Sequence, residues 1–260
     1  MNEVKRLIFK VEGLKKTFGS NEALNIKKLE IHPGTIYAIV GPPGSGKTTL
    51  LSILSGSEQP SSGSLFFENT PYETNWLGKT IKHDEVFYNY GYEDFGSRFR
   101  VSKVISKLYG KKSNILMKRH FNSARFKHLW NRRISNLTKG ELHWLGMIPS
   151  LESDPRVLLI DEYGVHLTDG MEQEFRSQLK RMNRSLGTTI IITSPSESLV
   201  RKFASVVIFL DNGHISKIRS SSNRQGRPIG SERRRKSGNY RKNKRNTNKR
   251  QNQHGNNRSR

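Results

Sequence analysis

Two short stretches of this 260-residue chain carry residue types that could hold and split a phosphate anhydride. The first is Gly41-Pro42-Pro43-Gly44-Ser45-Gly46-Lys47-Thr48-Thr49. It meets the pattern G-x-x-x-x-G-K-[ST] at Gly41, Gly46, Lys47 and Thr48. Glycines at 44 and 46 let backbone N–H groups turn toward phosphate oxygens. Pro42 and Pro43 have no N–H, so the donors must come from Gly44 onward, through Ser45, Gly46, Lys47, Thr48 and Thr49. Lys47 then reaches the β- and γ-phosphates as a point charge, and Thr48 offers its hydroxyl to Mg²⁺. The second stretch is Val157-Leu158-Leu159-Ile160-Asp161-Glu162, an apolar run ending in two carboxylates. Asp161 can hold Mg²⁺ through water, and Glu162 is placed to polarise an attacking water. Alone, that pair would be two acids opening an exposed loop. Beside the lysine loop it reads as the second half of a site for ATP and Mg²⁺.

Both stretches need strands behind them. β-branched apolar runs predict strands at Leu7–Val11, Thr35–Val40, Leu65–Glu68, Val157–Ile160, Thr188–Thr193 and Val206–Leu210. Asp211-Asn212-Gly213 reads as a hairpin turn into His214–Ile218, and His32-Pro33-Gly34 and Pro60-Ser61-Ser62-Gly63 read as turns. The phosphate loop should feed a helix over Thr48–Ser55, whose N-terminal amides and dipole face the same anion. Segments 101–130 and 140–152 look helical, the second interrupted by Pro149. Strands alternating with helices predict an α/β fold, a largely parallel sheet covered on both faces.

Composition narrows the partners. There is no cysteine, which excludes disulfides, thiolate metal sites and cysteine nucleophiles. No apolar run approaches the length that crosses a bilayer. Lys5 and Arg6 have no apolar stretch behind them, so no signal peptide is expected. The formal charge is +24. Residues 220–260 hold 14 Lys/Arg against Glu232 alone, a net of +13, leaving +11 for residues 1–219. That tail is nearly free of apolar residues and is expected to be disordered. It reads either as a solubilising extension or as an arm for nucleic acid or an anionic lipid surface. From Phe95 to Gly140 there are 13 Lys/Arg and no acid, with Phe99, Tyr109, Phe121, Phe126 and Trp130 interleaved. Interleaved aromatics can stack on bases or can be the core of a small helical bundle with a charged outer face.

With these residues in place, the chain over about residues 4–218 resembles the ATP-binding-cassette (ABC) ATPases. Phe18-Gly19 stands where the family has an adenine-stacking aromatic. Pro60-Ser61-Ser62-Gly63-Ser64-Leu65 matches the turn after the first helix. Leu137-Thr138-Lys139-Gly140-Glu141 stands where the family has Leu-Ser-Gly-Gly-Gln, and Asp154-Pro155 leads into the strand ending at Asp161-Glu162. The stretch Gly91-Tyr92-Glu93-Asp94 is similar to the coupling loop of exporter-like members. The resemblance implies a phosphate-loop core of mostly parallel sheet, an antiparallel β subdomain, and a helical subdomain at about 95–150, the whole ending near 219. It also implies two cassettes, in a homodimer or a heterodimer, clamping ATP head to tail. Thr138 and Gly140 of one chain then touch the ATP held by the other, and separate membrane-spanning subunits respond. The expected place is cytoplasmic, peripheral on the inner face of the membrane.

The departures matter as much. Lys139 replaces the first signature glycine and Glu141 the glutamine. The family's coupling-loop glutamine is missing, with Glu93 the first substitute as metal ligand and Asn89 the second. Thr168 stands where the family has a dimer-contact aspartate. Pro195, after Ser194, stands at the switch histidine. Lys47 and Glu162 remain as catalytic groups, so the expectation is ATP binding with slow hydrolysis. The alternative reading is a soluble cassette or regulatory module that holds nucleic acid through its basic tail.

Overall fold

The computed structural model describes residues 6–76, 78–89 and 96–220. The chain separates into a unit of Met1–Asn223 and a second of Arg224–Arg260. The second lies outside the described residues, and the expectation of disorder made for the tail falls there.

Strands β1 (Phe9–Phe18), β2 (Asn21–Ile31), β4 (Ser62–Phe67) and β5 (Thr70–Pro71) form an antiparallel sheet in the order β2-β1-β4-β5. A six-stranded sheet contains β3 (Ile36–Val40), β6 (Val86–Asn89), β7 (Val157–Ile160), β8 (Thr189–Ser194), β9 (Val206–Asp211) and β10 (His214–Ser220). Its order is β10-β9-β3-β8-β7-β6, parallel throughout except for β10 on β9. The predicted mixed α/β architecture, a parallel core beside an antiparallel sheet, is what forms.

The central strands are apolar on both sides because both sides are covered. Ile36, Ala38 and Val40 of β3 join Leu158, Ile160, Ile190 and Ile192 in a core shared with α4 (Lys139–Glu152) and α5 (Asp169–Arg181). The alternate residues Tyr37, Ile39, Val157, Leu159 and Ile191 face a second core. That core is closed by Leu50, Leu51, Ile53 and Leu54 of α1 (Lys47–Leu54) and by Phe9, Val11, Leu24 and Ile26 of the antiparallel sheet. The alternation of period two thus pins both layers to one sheet and leaves the phosphate loop at the C-terminal end of its interior strand β3.

Two helical expectations need correction. Segment 101–130 is not one helix. It is α2 (Val101–Tyr109), a turn at Gly110–Lys112, α3 (Ser113–His120) and then irregular chain with short 3₁₀ turns. Its aromatics are mostly core: Phe121 packs 5.2 Å from Trp130, and Phe126 lies flat on Trp144 at 4.1 Å. Nor does Pro149 end α4, which runs on to Glu152. Proline takes away a donor and crowds the preceding turn. Here Asn89 of β6 reaches across, giving its Nδ2 to the Gly146 carbonyl at 3.0 Å and bonding Ser150 Oγ. A neighbouring strand thus ties down the turn around the proline, although the carbonyl that loses its N–H partner to Pro149 is that of Leu145.

One α4 residue makes the fold acid-sensitive. His143 is 5% exposed, its Nε2 has no partner, and its ring lies 5.8 Å from His166. Burial, with the His166 charge adding to it, pushes its pKa down to about 4. The unfolded chain takes up this proton near the ordinary value of 6.5, while the folded chain resists until about 4. Stability from this residue is therefore complete above pH 6.5 and is lost as pH falls toward 4. Between pH 7 and 5 the protein should lose about 2 kcal/mol more than a His143→Leu variant. Urea melts of both proteins at the two pH values check this.

Candidate functional site

The chain leaves β3 at Val40 and turns directly into the 41–46 loop. Ser45 N–H donates to the Pro42 carbonyl at 3.2 Å, closing the loop on itself. Gly46 is the N-cap of α1 at φ +97°, and a Cβ there would stand 2.6 Å from the Ala23 carbonyl. Only glycine meets both the angle and the space. The first turn of α1 carries no acidic residue, so its amides and the positive end of its dipole are free for an anion.

Lys47 lies across this loop. Its Nζ donates to the carbonyls of Gly41 (2.8 Å) and Pro42 (2.7 Å) and to Ser45 Oγ (3.3 Å). Burial pushes its pKa down, and the charges of Asp161 and Glu162 oppose that. All its hydrogen-bonding partners are neutral, and among the described residues it makes no ion pair. This is a cation arranged to receive an anion. The cleft beside it measures about 380 Å³. Gly44, Gly46, Lys47, Thr48 and Thr49 line one part, and Phe18 another. Phe18 is 49% exposed, with Lys16 Nζ held 4.8 Å from its ring centroid. Gly41 and Ser45 are outside this lining. Ser45 is buried, and Gly41 packs against the Leu210 carbonyl.

Sequence reasoning missed part of the wall. Asn21, Glu22 and Ala23 at the start of β2, and Asn212 and Gly213 of the β9–β10 turn, also line the cleft. Gly213 N–H donates to the Ser45 carbonyl at 3.1 Å, and its own carbonyl accepts from Asn25 N–H at 2.9 Å. The turn thereby fastens the phosphate loop to β2. The Asn212-Gly213 signal was visible in the sequence, but only as a turn.

The second stretch arrives through sheet register. Ile160 of β7 pairs with Ile192 of β8, and Val40 of β3 pairs with Ser194. Asp161 and Glu162 therefore leave the sheet at the same end as the loop. Asp161 is 7% exposed, and its Oδ1 accepts from Glu162 N–H (3.1 Å) and from Thr193 Oγ1. Thr193 Oγ1 also accepts from Glu162 N–H at 2.9 Å. These bonds hold Glu162 at φ +49°, in the left-handed region. A strained backbone that is locked this firmly fixes where a side chain points. The Glu162 residue is exposed, and among the described residues its carboxylate makes no hydrogen bond. Glu93 lies outside the described residues. Asn89 is there, but its amide is turned to α4.

Thr138 and Gly140 stand apart from this cleft, at the start of α4. Thr138 caps the helix: its Oγ1 accepts from Glu141 N–H (3.2 Å), and Glu141 Oε2 accepts from Thr138 N–H (2.7 Å). Glu141 is braced by Arg132 and His128, each at 3.1 Å. Its carboxyl sits below the usual range because these bonds outweigh the cost of its burial. The acid in place of glutamine therefore has a structural use here. A Cβ on Gly140 would come 2.5 Å from the His166 carbonyl, so this glycine is needed by the chain's own packing. Thr168 caps α5, accepting from Met171 N–H at 3.4 Å.

The chain is similar in sequence and in fold to known proteins. The profile of the ABC transporter family matches residues 24–163, just over half the chain. The chain is 28% identical over 225 residues to a probable sulfate/thiosulfate import ATP-binding protein (CysA) of Chlorella vulgaris, covering 84% of this chain and 93% of that one. It is 28% identical to the lantibiotic transport ATP-binding protein SrtF of Streptococcus pyogenes (80% and 89% covered). It is 26% identical to the spermidine/putrescine import ATP-binding protein PotA of Bacillus thuringiensis, of which it spans only 65%. In fold it is similar to cbiO1 of Clostridium perfringens, part of an ABC transporter complex (TM-score 0.68, 24% identity, 83% and 89% covered). It is also similar to the ATP-binding cassette MJ0796 in a dimer bound to ADP and Pi (TM-score 0.64, 20% identity, 82% and 98% covered). With a family profile matching more than half of its length, the chain belongs to the ABC transporter family.

Proposed function

We propose that the chain is the ATP-binding subunit of a membrane transporter and that it binds Mg-ATP and hydrolyses it slowly. The observation that carries this is Lys47, a half-buried ammonium resting on neutral acceptors beside the start of α1, within electrostatic reach of Asp161 and Glu162. Lys47 takes the β- and γ-phosphates, and the amides from Gly44 to Thr49 take the remaining oxygens. The Thr48 hydroxyl and the uncommitted Oδ2 of Asp161 are the hard oxygen donors that Mg²⁺ prefers, and the ion would neutralise phosphate charge there. The open face of Phe18 stacks on adenine, and Glu162 orients the attacking water.

Thr138 and Gly140 serve the ATP of a second cassette docked head to tail. In support, they stand on α4 outside the cleft that Lys47 lines. Slow turnover follows from Lys139 in the signature and Pro195 at the switch. Separate membrane subunits complete the transporter, in keeping with the ABC transporter family to which the chain belongs; among the described residues no helix is long and apolar enough to cross a membrane. The cassette would then sit peripherally on the cytoplasmic, inner face. The cargoes in the names of similar proteins are an oxyanion, a lantibiotic and a polyamine, and these share no chemistry. Choice of cargo is thus left to the membrane subunits.

A rival reading, nucleic acid held by residues 220–260, rests on the charge of that tail. Native purification from membranes, with and without nuclease, separates the two. A membrane-embedded partner should co-purify in both cases. Loss of every partner on nuclease treatment would overturn the transporter assignment.

A further inference from the structure

The α2–α3 hairpin carries a surface for which the ATP site has no use. The apolar stripe of α2 runs Val101, Val104, Ile105, Leu108 at helical spacing. Its first three members are buried, but Leu108 overshoots the core and is 53% exposed. The chain then turns at Gly110–Lys112 into α3, where Leu116 and His120 face inward and Ile115 is 55% exposed. Lys107 precedes Leu108, Lys111 and Lys112 lie in the turn between the two aliphatic residues, Lys118 stands three residues after Ile115 on α3, and all four are exposed. Among the described residues none of the four makes an ion pair or other polar contact. No acid occurs between residues 96 and 140 to offset them.

We infer that the outer end of this hairpin docks on an anionic lipid surface, with Leu108 and Ile115 entering the interface and the lysines on the headgroups. Three arguments favour lipid. Protein interfaces are enriched in Arg and aromatics and depleted in Lys, whereas here lysine and aliphatic side chains make the patch. Sequence-tolerant binding of single-stranded nucleic acid needs several exposed rings; Phe121 and Phe126 are 1% and 2% exposed, Tyr109 is half-buried, and the exposed Phe99 precedes α2, at the end away from Leu108. Unpaired lysines flanking exposed aliphatics are the composition that binds an anionic membrane interface. None of these residues lines the ATP cleft, so the inference does not depend on nucleotide binding.

The test uses the absence of cysteine. Leu108→Cys and Ile115→Cys in the full chain can each carry one polarity-sensitive dye, with Leu186→Cys, an exposed site at the end of a different helix, as control. With mixed phosphatidylserine–phosphatidylcholine vesicles, the dye at 108 and at 115 should shift to the blue, and the dye at 186 should not. Pure phosphatidylcholine should give no shift. Replacing Lys111 and Lys112 by glutamine together should weaken vesicle binding about tenfold at low salt. Vesicle binding without any shift at 108 or 115 would mean the C-terminal tail binds alone, and would overturn the inference. So would a dye response to RNA or DNA oligomers that vesicles do not produce.

Discussion

Lys47→Ala should lower ATP affinity by about a hundredfold. A hydrogen bond to a charged group contributes about 1.5–3 kcal/mol, and in the proposed function the lysine would bridge two phosphates. The structure adds a reason specific to this chain. Without ligand, the ammonium is partly desolvated and held only by the Gly41 and Pro42 carbonyls and Ser45 Oγ. Its pKa is pushed down by that burial, so the charge is kept at a cost. An arriving triphosphate removes the cost and adds attraction. Alanine forgoes both gains. It also frees the loop carbonyls that Lys47 gathers, so the amides from Gly44 onward lose part of their preset direction. Calorimetric titration with Mg-ATP reads the loss directly. A thermal melt gives a second reading: saturating Mg-ATP should raise the melting temperature of the wild type and leave that of Lys47→Ala nearly unchanged. An affinity change below about threefold would show that the cleft binds by another route.

What the sequence could and could not reveal follows from how local each signal is. The phosphate loop, the Asp161-Glu162 strand end and the β9–β10 turn depend on neighbours in the chain, and all three formed. β2 was missed because its buried residues, Leu24, Ile26, Leu29 and Ile31, lose their alternation at Lys27-Lys28. Its partner β1 shifts register near Lys16, so the pairing that stabilises β2 is not written in β2 alone. α5 was legible and still overlooked. Thr168 is a good cap, Asp169 and Glu172 suit the first turn, and Met171, Phe175 and Leu179 recur every fourth residue. Pro149 misled for the opposite reason: the turn around it is tied to Asn89, 60 residues earlier, whose amide bonds the Gly146 carbonyl and Ser150 Oγ. Glu141 reads as a damaged signature when aligned with the family. In the folded chain it is half of a capping box braced by Arg132 and His128. Loss of a motif residue can therefore be a gain elsewhere, and the catalytic consequence must be judged position by position.

Position 195 is where that judgement bears most on rate. The register of β3 with β8 pairs Val40 with Ser194, so residue 195 emerges beside Gly41, where the phosphate loop begins. The register of β7 with β8 sets Asp161 and Glu162 against Thr193 and Ser194. Pro195 is exposed at this junction, between the loop that should hold the phosphates and the carboxylate that should orient water. Proline has neither an N–H nor a side-chain donor to give to charge developing on the γ-phosphate. Losing one such donor commonly costs about 10²–10³ in rate. From an ordinary turnover of about 10 s⁻¹, the wild type should fall to about 0.1 s⁻¹ or less. Pro195→His should recover at least about tenfold of this. Pro195→Ala restores the N–H without the imidazole and should recover little. Glu162→Gln in the Pro195→His background should return the rate to background, because the water then lacks its base. Steady-state phosphate release at saturating Mg-ATP measures all four proteins. If Pro195→His is no faster than Pro195→Ala, the imidazole is not what the site lacks. If the unaltered chain turns over several times per second on its own, slow hydrolysis is refuted outright.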